Sequence, residues 1–140
     1  MRQRESGPRQ GFTLVESLIV IALVGFLLAI ALPRFAEARL RMQLDTAAHQ
    51  LAGDLRRAQV EAIKRNQSVK LAMTGPSTYS IDFIGNRSFE GNVTFDVGSA
   101  DSVRMASFGP PVTGIAAFTV THSGAQKTVT VSGAGLISVQ

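Results

Sequence analysis

The chain has 140 residues, 45% hydrophobic and 17% charged, a formal net charge of +4 and no cysteine. That length holds one small domain beside a membrane segment, and the missing cysteine excludes a disulfide framework and the common zinc sites. Trp is absent and Tyr79 is the single tyrosine, so the chain is poor in aromatic platforms for nucleobases.

A short polar leader carries Arg2, Arg4 and Arg9 against Glu5 and runs into Gly11-Phe12-Thr13. Leu14 to Leu32 then holds 19 residues whose only polar or small-polar members are Glu16, Ser17 and Gly25. At ~1.5 Å per residue such a helix nearly covers the ~30 Å hydrocarbon core of a bilayer. An acidic side chain at membrane depth costs roughly 2.5–3.5 kcal/mol on insertion scales and less near a helix end. Something must offset that cost, which makes Glu16 a candidate functional residue. A secretory signal would carry a small-residue cleavage site behind its apolar region, whereas Pro33-Arg34-Phe35 stands there. A cut after Gly11 would instead discard the leader and keep the apolar helix. Arginines flank the run on both sides (Arg2, Arg4 and Arg9 before, Arg34, Arg39 and Arg41 after), so charge alone leaves the orientation nearly tied.

Behind Pro33 the helical period continues. Leu40, Leu44, Ala48, Leu51, Leu55, Ala58 and Ala62 recur at three- and four-residue steps as one apolar stripe. Arg41, Asp45, Asp54, Arg57, Glu61 and Lys64 fall mostly off it, and Glu37/Arg41, Arg57/Glu61 and Glu61/Arg65 are spaced to pair along the helix. Asn66 and Gln67 end the pattern. The spacing predicts a helix over residues 14–65, bent at Pro33 by the lost backbone donor and the clash with the preceding turn. Residues 34–70 hold eight basic side chains against four acidic ones, while residues from 71 onward hold three against four. The basic character therefore belongs to the helix, and the remainder is close to neutral, a poor footprint for nucleic acid.

Beyond Ser68 the period falls to two. Tyr79, Ile81 and Phe83 alternate with polar residues, as do Val93, Phe95 and Val97, then Phe118 and Val120, then Val129 and Val131. Shorter candidates are residues 69–73, 103–108 and 136–139. Turns are expected at Thr74-Gly75-Pro76, Ile84-Gly85-Asn86, Phe108-Gly109-Pro110-Pro111, Ser123-Gly124 and Ser132-Gly133. Strands at this spacing predict an antiparallel sheet or β-sandwich packed on the helix stripe, an α+β fold.

The basic leader, Gly11, Phe12-Thr13-Leu14, Glu16 and the apolar run agree in order with the class III signal of type IV pilins and pseudopilins, which the chain resembles. The run Asp54-Leu55-Arg56-Arg57-Ala58-Gln59-Val60-Glu61-Ala62 resembles the helix signature of the GspH/FimT group, and residues 131–139 resemble its last hairpin. The resemblance implies a division into a leader (1–11), a transmembrane and filament-core helix (12–33), an amphipathic helix (34–67) and a β-rich domain (68–140). It implies cleavage by a prepilin peptidase after Gly11, methylation of Phe12, and a helix kink at Pro33. Glu16 would meet the Phe12 amine of a neighbouring subunit and set register during assembly. The implied partners are other pilins or pseudopilins and the inner-membrane assembly platform. The leader would be cytoplasmic and the β domain extracytoplasmic, on a single-pass bacterial inner-membrane protein that later enters a filament.

The implied role is that of a minor pilin or pseudopilin. The near-neutral β domain favours protein secretion by a type II secretion pseudopilus; the alternative is a type IV pilus for DNA uptake or motility. Leu136 and Ser138 stand where DNA-binding FimT-type members carry arginines, so DNA is the less favoured partner. Arg56, Arg57, Lys64 and Arg65 read as a solvated helix face that could touch a partner or phosphate. A membrane-tethered sensor or enzyme on an uncleaved anchor is the rival from another class.

No other motif carries chemistry. His49 and His122 lack a second ligand at metal spacing and read as surface or helix-flank residues. Asp96-Val97-Gly98-Ser99-Ala100-Asp101 lacks the acidic count and distal Glu of an EF-hand and reads as an acidic turn. Gly133-Ala134-Gly135 has no helix behind it and reads as a turn, not a dinucleotide fingerprint. Neither a catalytic constellation nor a cofactor is expected.

Overall fold

The structure, a computed structural model, describes residues 12–112 and 114–140, with the backbone alone at Pro33. The chain divides into two units between Glu37 and Ala38. Helix α1, Leu14–Arg65, begins in the first and ends in the second.

In the first unit the helix opens on an N-cap. The Glu16 N–H donates to Thr13 Oγ1 at 3.2 Å, and the Ser17 N–H donates to the Thr13 carbonyl at 3.2 Å. Threonine is favoured there because its hydroxyl satisfies a backbone donor that the first turn leaves orphaned. Among the described residues the large apolar side chains that follow are exposed, Leu14 at 80% and Phe26 at 66%. An 18-residue stretch of this helix has a mean hydropathy of 2.7 and no buried residue, long and apolar enough to cross a membrane. Helical backbone continues through Pro33.

In the second unit the stripe closes over the domain core. Leu44, Ala47, Ala48, Leu51, Ala52, Leu55, Ala58 and Ala62 are all buried. The alanines let strands approach closely, and the leucines fill the space between. The helix stops at a Schellman motif: the Asn66 N–H donates to the Ile63 carbonyl and the Gln67 N–H to the Ala62 carbonyl, each at 3.2 Å, with Asn66 at φ 51°.

Among the described residues eight strands follow: β1 Val69–Met73, β2 Thr78–Ile81, β3 Gly85–Ser88, β4 Thr94–Phe95, β5 Ser102–Met105, β6 Ala116–His122, β7 Ala125–Val131 and β8 Ile137–Val139. They form two four-stranded antiparallel sheets, ordered β3-β2-β1-β5 and β4-β6-β7-β8. Alternation aims Val69, Leu71, Tyr79, Ile81, Val103 and Met105 of the first sheet into the same cluster as Phe118, Val120, Val129, Val131 and Ile137 of the second. Phe95 links them, its ring centroid lying 6.1 Å from that of Tyr79 and 6.4 Å from that of Phe118. The β6–β7 hairpin turns through Ser123 (φ 49°) and Gly124 (φ 84°), the paired positive φ values of a type I′ turn.

The expected α+β architecture is the observed one, a long N-terminal helix packed on antiparallel sheets. Four local expectations are corrected, the first being Val97, read as a strand position but fully exposed two residues beyond the end of β4. Gly85-Asn86, read as a turn, begins strand β3; an edge strand exposed along most of its length needs no apolar alternation. Phe83, read as a strand position, sits beyond the end of β2 at φ 65° and is 57% exposed. Asp54, placed off the stripe, is buried at 6% exposure.

Candidate functional site

Two regions carry the functional expectations, one in each unit. In the first, Phe12 is 80% exposed just before the helix, and Glu16 is exposed on its first turn. Thr13 and Glu16 hold the spacing of a capping box, of which the backbone half, Glu16 N–H to Thr13 Oγ1, is formed. That local role of Thr13 escaped the sequence reading, although Thr-x-x-Glu before an apolar run is its signature. Gly11, the expected cleavage position, lies outside the described residues, and Pro33, where a kink is expected, lies in the helical backbone of the first unit.

In the second unit a buried polar network ties the helix to the first sheet. The Tyr79 hydroxyl donates to Asp54 Oδ2 at 2.8 Å. Gln50 Nε2 donates to the Tyr79 oxygen at 3.3 Å and to the Ser88 carbonyl at 3.1 Å. Burial, then the hydrogen bond to Asp54 and its negative charge, push the Tyr79 phenol well above its usual range. Arg57 Nη1 and Arg87 Nε approach Asp54 to 3.8 and 3.9 Å, too far to hydrogen-bond. Arg87 Nε is buried with no hydrogen-bond acceptor, so Asp54 is held mainly by tyrosine. Position 54 is three beyond Leu51 and four before Ala58, which is stripe spacing. That spacing and the lone tyrosine were the signals available.

Beside this network the last turns of α1 and the β2–β3 turn enclose a cleft of about 520 Å³, lined by Arg56, Arg57, Lys64, Arg87, Glu61 and Phe83 among others. Its one acid, Glu61, accepts from Arg65 Nε at 2.5 Å. Arg65 also lies 4.5 Å above the Phe83 ring, a cation–π contact. The structure thus gathers Arg56, Arg57 and Lys64 at one cleft with Arg65 on its rim, and adds Arg87 and Phe83, which the sequence reading missed. Arg56 has a structural task too, Nη2 donating to the Ile137 carbonyl at 3.3 Å. Next to it Gln59 Nε2 donates to the Gly135 carbonyl at 2.6 Å. Of the expected helical ion pairs, Glu61–Arg65 forms, while Arg57 turns toward Asp54 instead of Glu61.

The lesser candidates resolve simply. His49 is exposed on the helix. His122, expected at the surface, is buried at 8% exposure because its Nδ1 meets the Asn92 carbonyl at 2.8 Å at the end of β6. The Asp96–Asp101 segment is a loop, and the described residues hold no cluster of three or more potential metal ligands. Gly135, at φ 83°, donates to the Ser132 carbonyl at 2.8 Å, which makes Gly133-Ala134-Gly135 part of the β7–β8 turn.

Comparison with known proteins bears on both regions. Residues 7–32 match the prokaryotic N-terminal methylation motif. The pilin-like protein PilA1 of Thermus thermophilus is 48% identical over 63 residues, which cover 45% of this chain and 39% of that protein. A fimbrial protein of Pseudomonas aeruginosa is 29% identical over 84 residues, covering 60% and 54% respectively. The chain therefore spans about half or less of the length of the curated relatives it matches. The crystal structure of the type IV minor pilin FimU from Pseudomonas aeruginosa superposes with a TM-score of 0.63 at 18% identity, over 71% of this chain and 90% of that one. A second crystal form of FimU gives 0.60 at 16% identity. The chain thus carries the prokaryotic N-terminal methylation motif, is homologous over part of its length to pilin-like proteins, and has the pilin fold of FimU.

Proposed function

We propose that the chain is a subunit of a type IV-pilus-like filament, anchored in the inner membrane by residues 12–33 until it is drawn into the filament. The observation that carries this reading is the uncovered apolar helix, which opens on Phe12, Thr13 and Glu16 and is matched by the methylation motif. A prepilin peptidase would cut after Gly11 and methylate Phe12. The freed amine is positive, and in a low-dielectric surround a carboxylate is its natural counter-charge. Within one helix Phe12 and Glu16 are poorly placed to meet, so the Glu16 of a neighbouring subunit is the better partner. Burial of Leu14–Leu32 among like helices would then replace lipid contact with protein contact.

The similar proteins bear pilus names, which favours a minor pilin of a type IV pilus as the setting. The near-neutral charge beyond residue 70 and Leu136 and Ser138 favour the second setting, a type II secretion pseudopilus. The test is a strain lacking this chain, scored in the same cultures for natural transformation, twitching motility and secreted exoprotein. Loss of transformation or twitching with normal secretion assigns it to the pilus; exoprotein trapped inside the cell with the other two intact assigns it to the secretion pseudopilus. A mature chain that keeps residues 1–11 and stays out of sheared filaments overturns the filament reading altogether.

A further inference from the structure

The cationic cleft has a counterpart on the same molecule. Lining it are four cations, Arg56, Arg57, Lys64 and Arg87, against Glu61, which is engaged with Arg65. Phe83 stands at its edge at φ 65°, a conformation that Gly or Asn holds with less strain than a phenylalanine, and its ring faces solvent beneath Arg65.

The segment Asp96–Asp101 is the reverse of this in shape and charge. Val97 is fully exposed at 104%, between two aspartates that have no cationic partner within 4 Å among the described residues. The loop is held in place, not loose: Ser99 Oγ donates to the Thr119 carbonyl at 2.8 Å and accepts from the Thr119 N–H at 2.9 Å. Asp96 Oδ2 meets the Gly98 N–H at 3.5 Å.

Strand β1 fixes where the two features lie. At its first end the Lys70 N–H donates to Asp82 Oδ2 at 3.0 Å, next to Phe83. At its last residue the Met73 N–H donates to the Asp101 carbonyl at 2.9 Å. Three strand steps separate Lys70 from Met73, about 10 Å at ~3.3 Å per residue. Within one chain the knob and Phe83 therefore lie at opposite ends of β1, and among the described residues no cation of the cleft pairs with Asp96 or Asp101. Complementary patches at separate places on one chain specify a head-to-tail contact, which propagates through successive copies where a self-matching patch would stop at a dimer.

We propose that the cleft receives the Asp96–Asp101 knob of a second copy of this chain, Val97 packing against Phe83 while Asp96 and Asp101 face Arg57, Lys64 and Arg87. The contact rests on the filament reading above and names one partner surface within it.

The native chain has no cysteine, so thiol pairing reports it cleanly. In full-length protein in its own membranes, Phe83→Cys and Val97→Cys carried on one chain should give a ladder of disulfide-linked multimers under mild oxidant. Neither single variant should do so, because both thiols are needed. Anchored at opposite ends of β1, about 10 Å apart along the strand, the two positions are beyond the ~7 Å Cα limit for a disulfide within one chain. Arg57→Glu should reduce the ladder several-fold, and adding Asp101→Lys should restore it. Sheared filaments from the same cultures test the wider reading separately. If the chain is present in filaments but no ladder forms, or if the thiols join to a different protein, or if charge reversal changes nothing, the proposed contact falls and the filament reading stands. If the chain is absent from filaments and no ladder forms, both fall.

Discussion

The Tyr79 hydroxyl donates a 2.8 Å hydrogen bond to Asp54 Oδ2 beneath the helix, and both residues are buried. Tyr79 comes from β2 and Asp54 from α1, so this bond joins the helix to the first sheet at a point largely shielded from bulk water. The pairing is a local concentration of risk, since removing either partner strands the other.

Tyr79→Phe should therefore destabilise the protein by about 1–3 kcal/mol, the cost of an unsatisfied buried acceptor. Asp54→Asn should cost less than Asp54→Ala, because the amide oxygen still accepts from the hydroxyl. Thermal unfolding of the three variants in the same detergent checks the order. If Tyr79→Phe unfolds with the native chain, water or Arg87 holds Asp54 instead.

The same bond predicts an alkaline limit. The folded state holds the Tyr79 phenol protonated above its ordinary value of 10.0. A group whose folded pKa is raised contributes stability that is complete below the unfolded value and lost as pH rises past it. Stability should thus fall as pH climbs above about 10, and that fall should shrink in Tyr79→Phe. Unfolding midpoints taken on either side of that pH, for native chain and variant, supply the comparison.

Asn66 ends the helix at φ 51°. Asn66→Gly should leave stability unchanged or raise it slightly, whereas Asn66→Val should lower it by roughly 1–2 kcal/mol, because a β-branched residue is strained in the left-handed region. Equal unfolding midpoints for the two variants would show that the Schellman bonds of Asn66 and Gln67 contribute nothing.

At the other end of the helix, Gly11→Val should leave the leader attached, giving a full-length band on immunoblots. Glu16→Gln should be processed normally and reach the membrane in native amount, yet be depleted from sheared filaments. A Glu16→Gln chain that enters filaments like the native one would reduce that residue to a companion of the Thr13 cap.

Sequence patterning made the fold legible where burial follows a period. The stripe from Leu44 to Ala62 and the alternation in β6 and β7 predict their faces because one side of each element is covered. β3 was opaque, since its Gly85-Asn86-Arg87-Ser88 edge has no apolar face to show. Asp54 was misread because a carboxylate on an apolar stripe is expected to point away, and only the tertiary arrival of Tyr79 makes its burial tolerable. The cleft was half legible. Arg56, Arg57, Lys64 and Arg65 are local in sequence, but Arg87 and Phe83 join them only through the β2–β3 turn.

The polar ties along the second half of the helix also settle how the domain would carry load. Gln50 and Asp54 hold the first sheet, through Ser88 and Tyr79; Arg56 and Gln59 hold the second, through Ile137 and Gly135. These anchor points are spread along about two and a half turns at ~3.6 residues per turn. A pull along the helix axis would strain them together, in shear, with the apolar interface beneath. A sideways pull would meet them one after another, as a zip is opened. The domain is built to be towed by its helix, and its weak direction is across it.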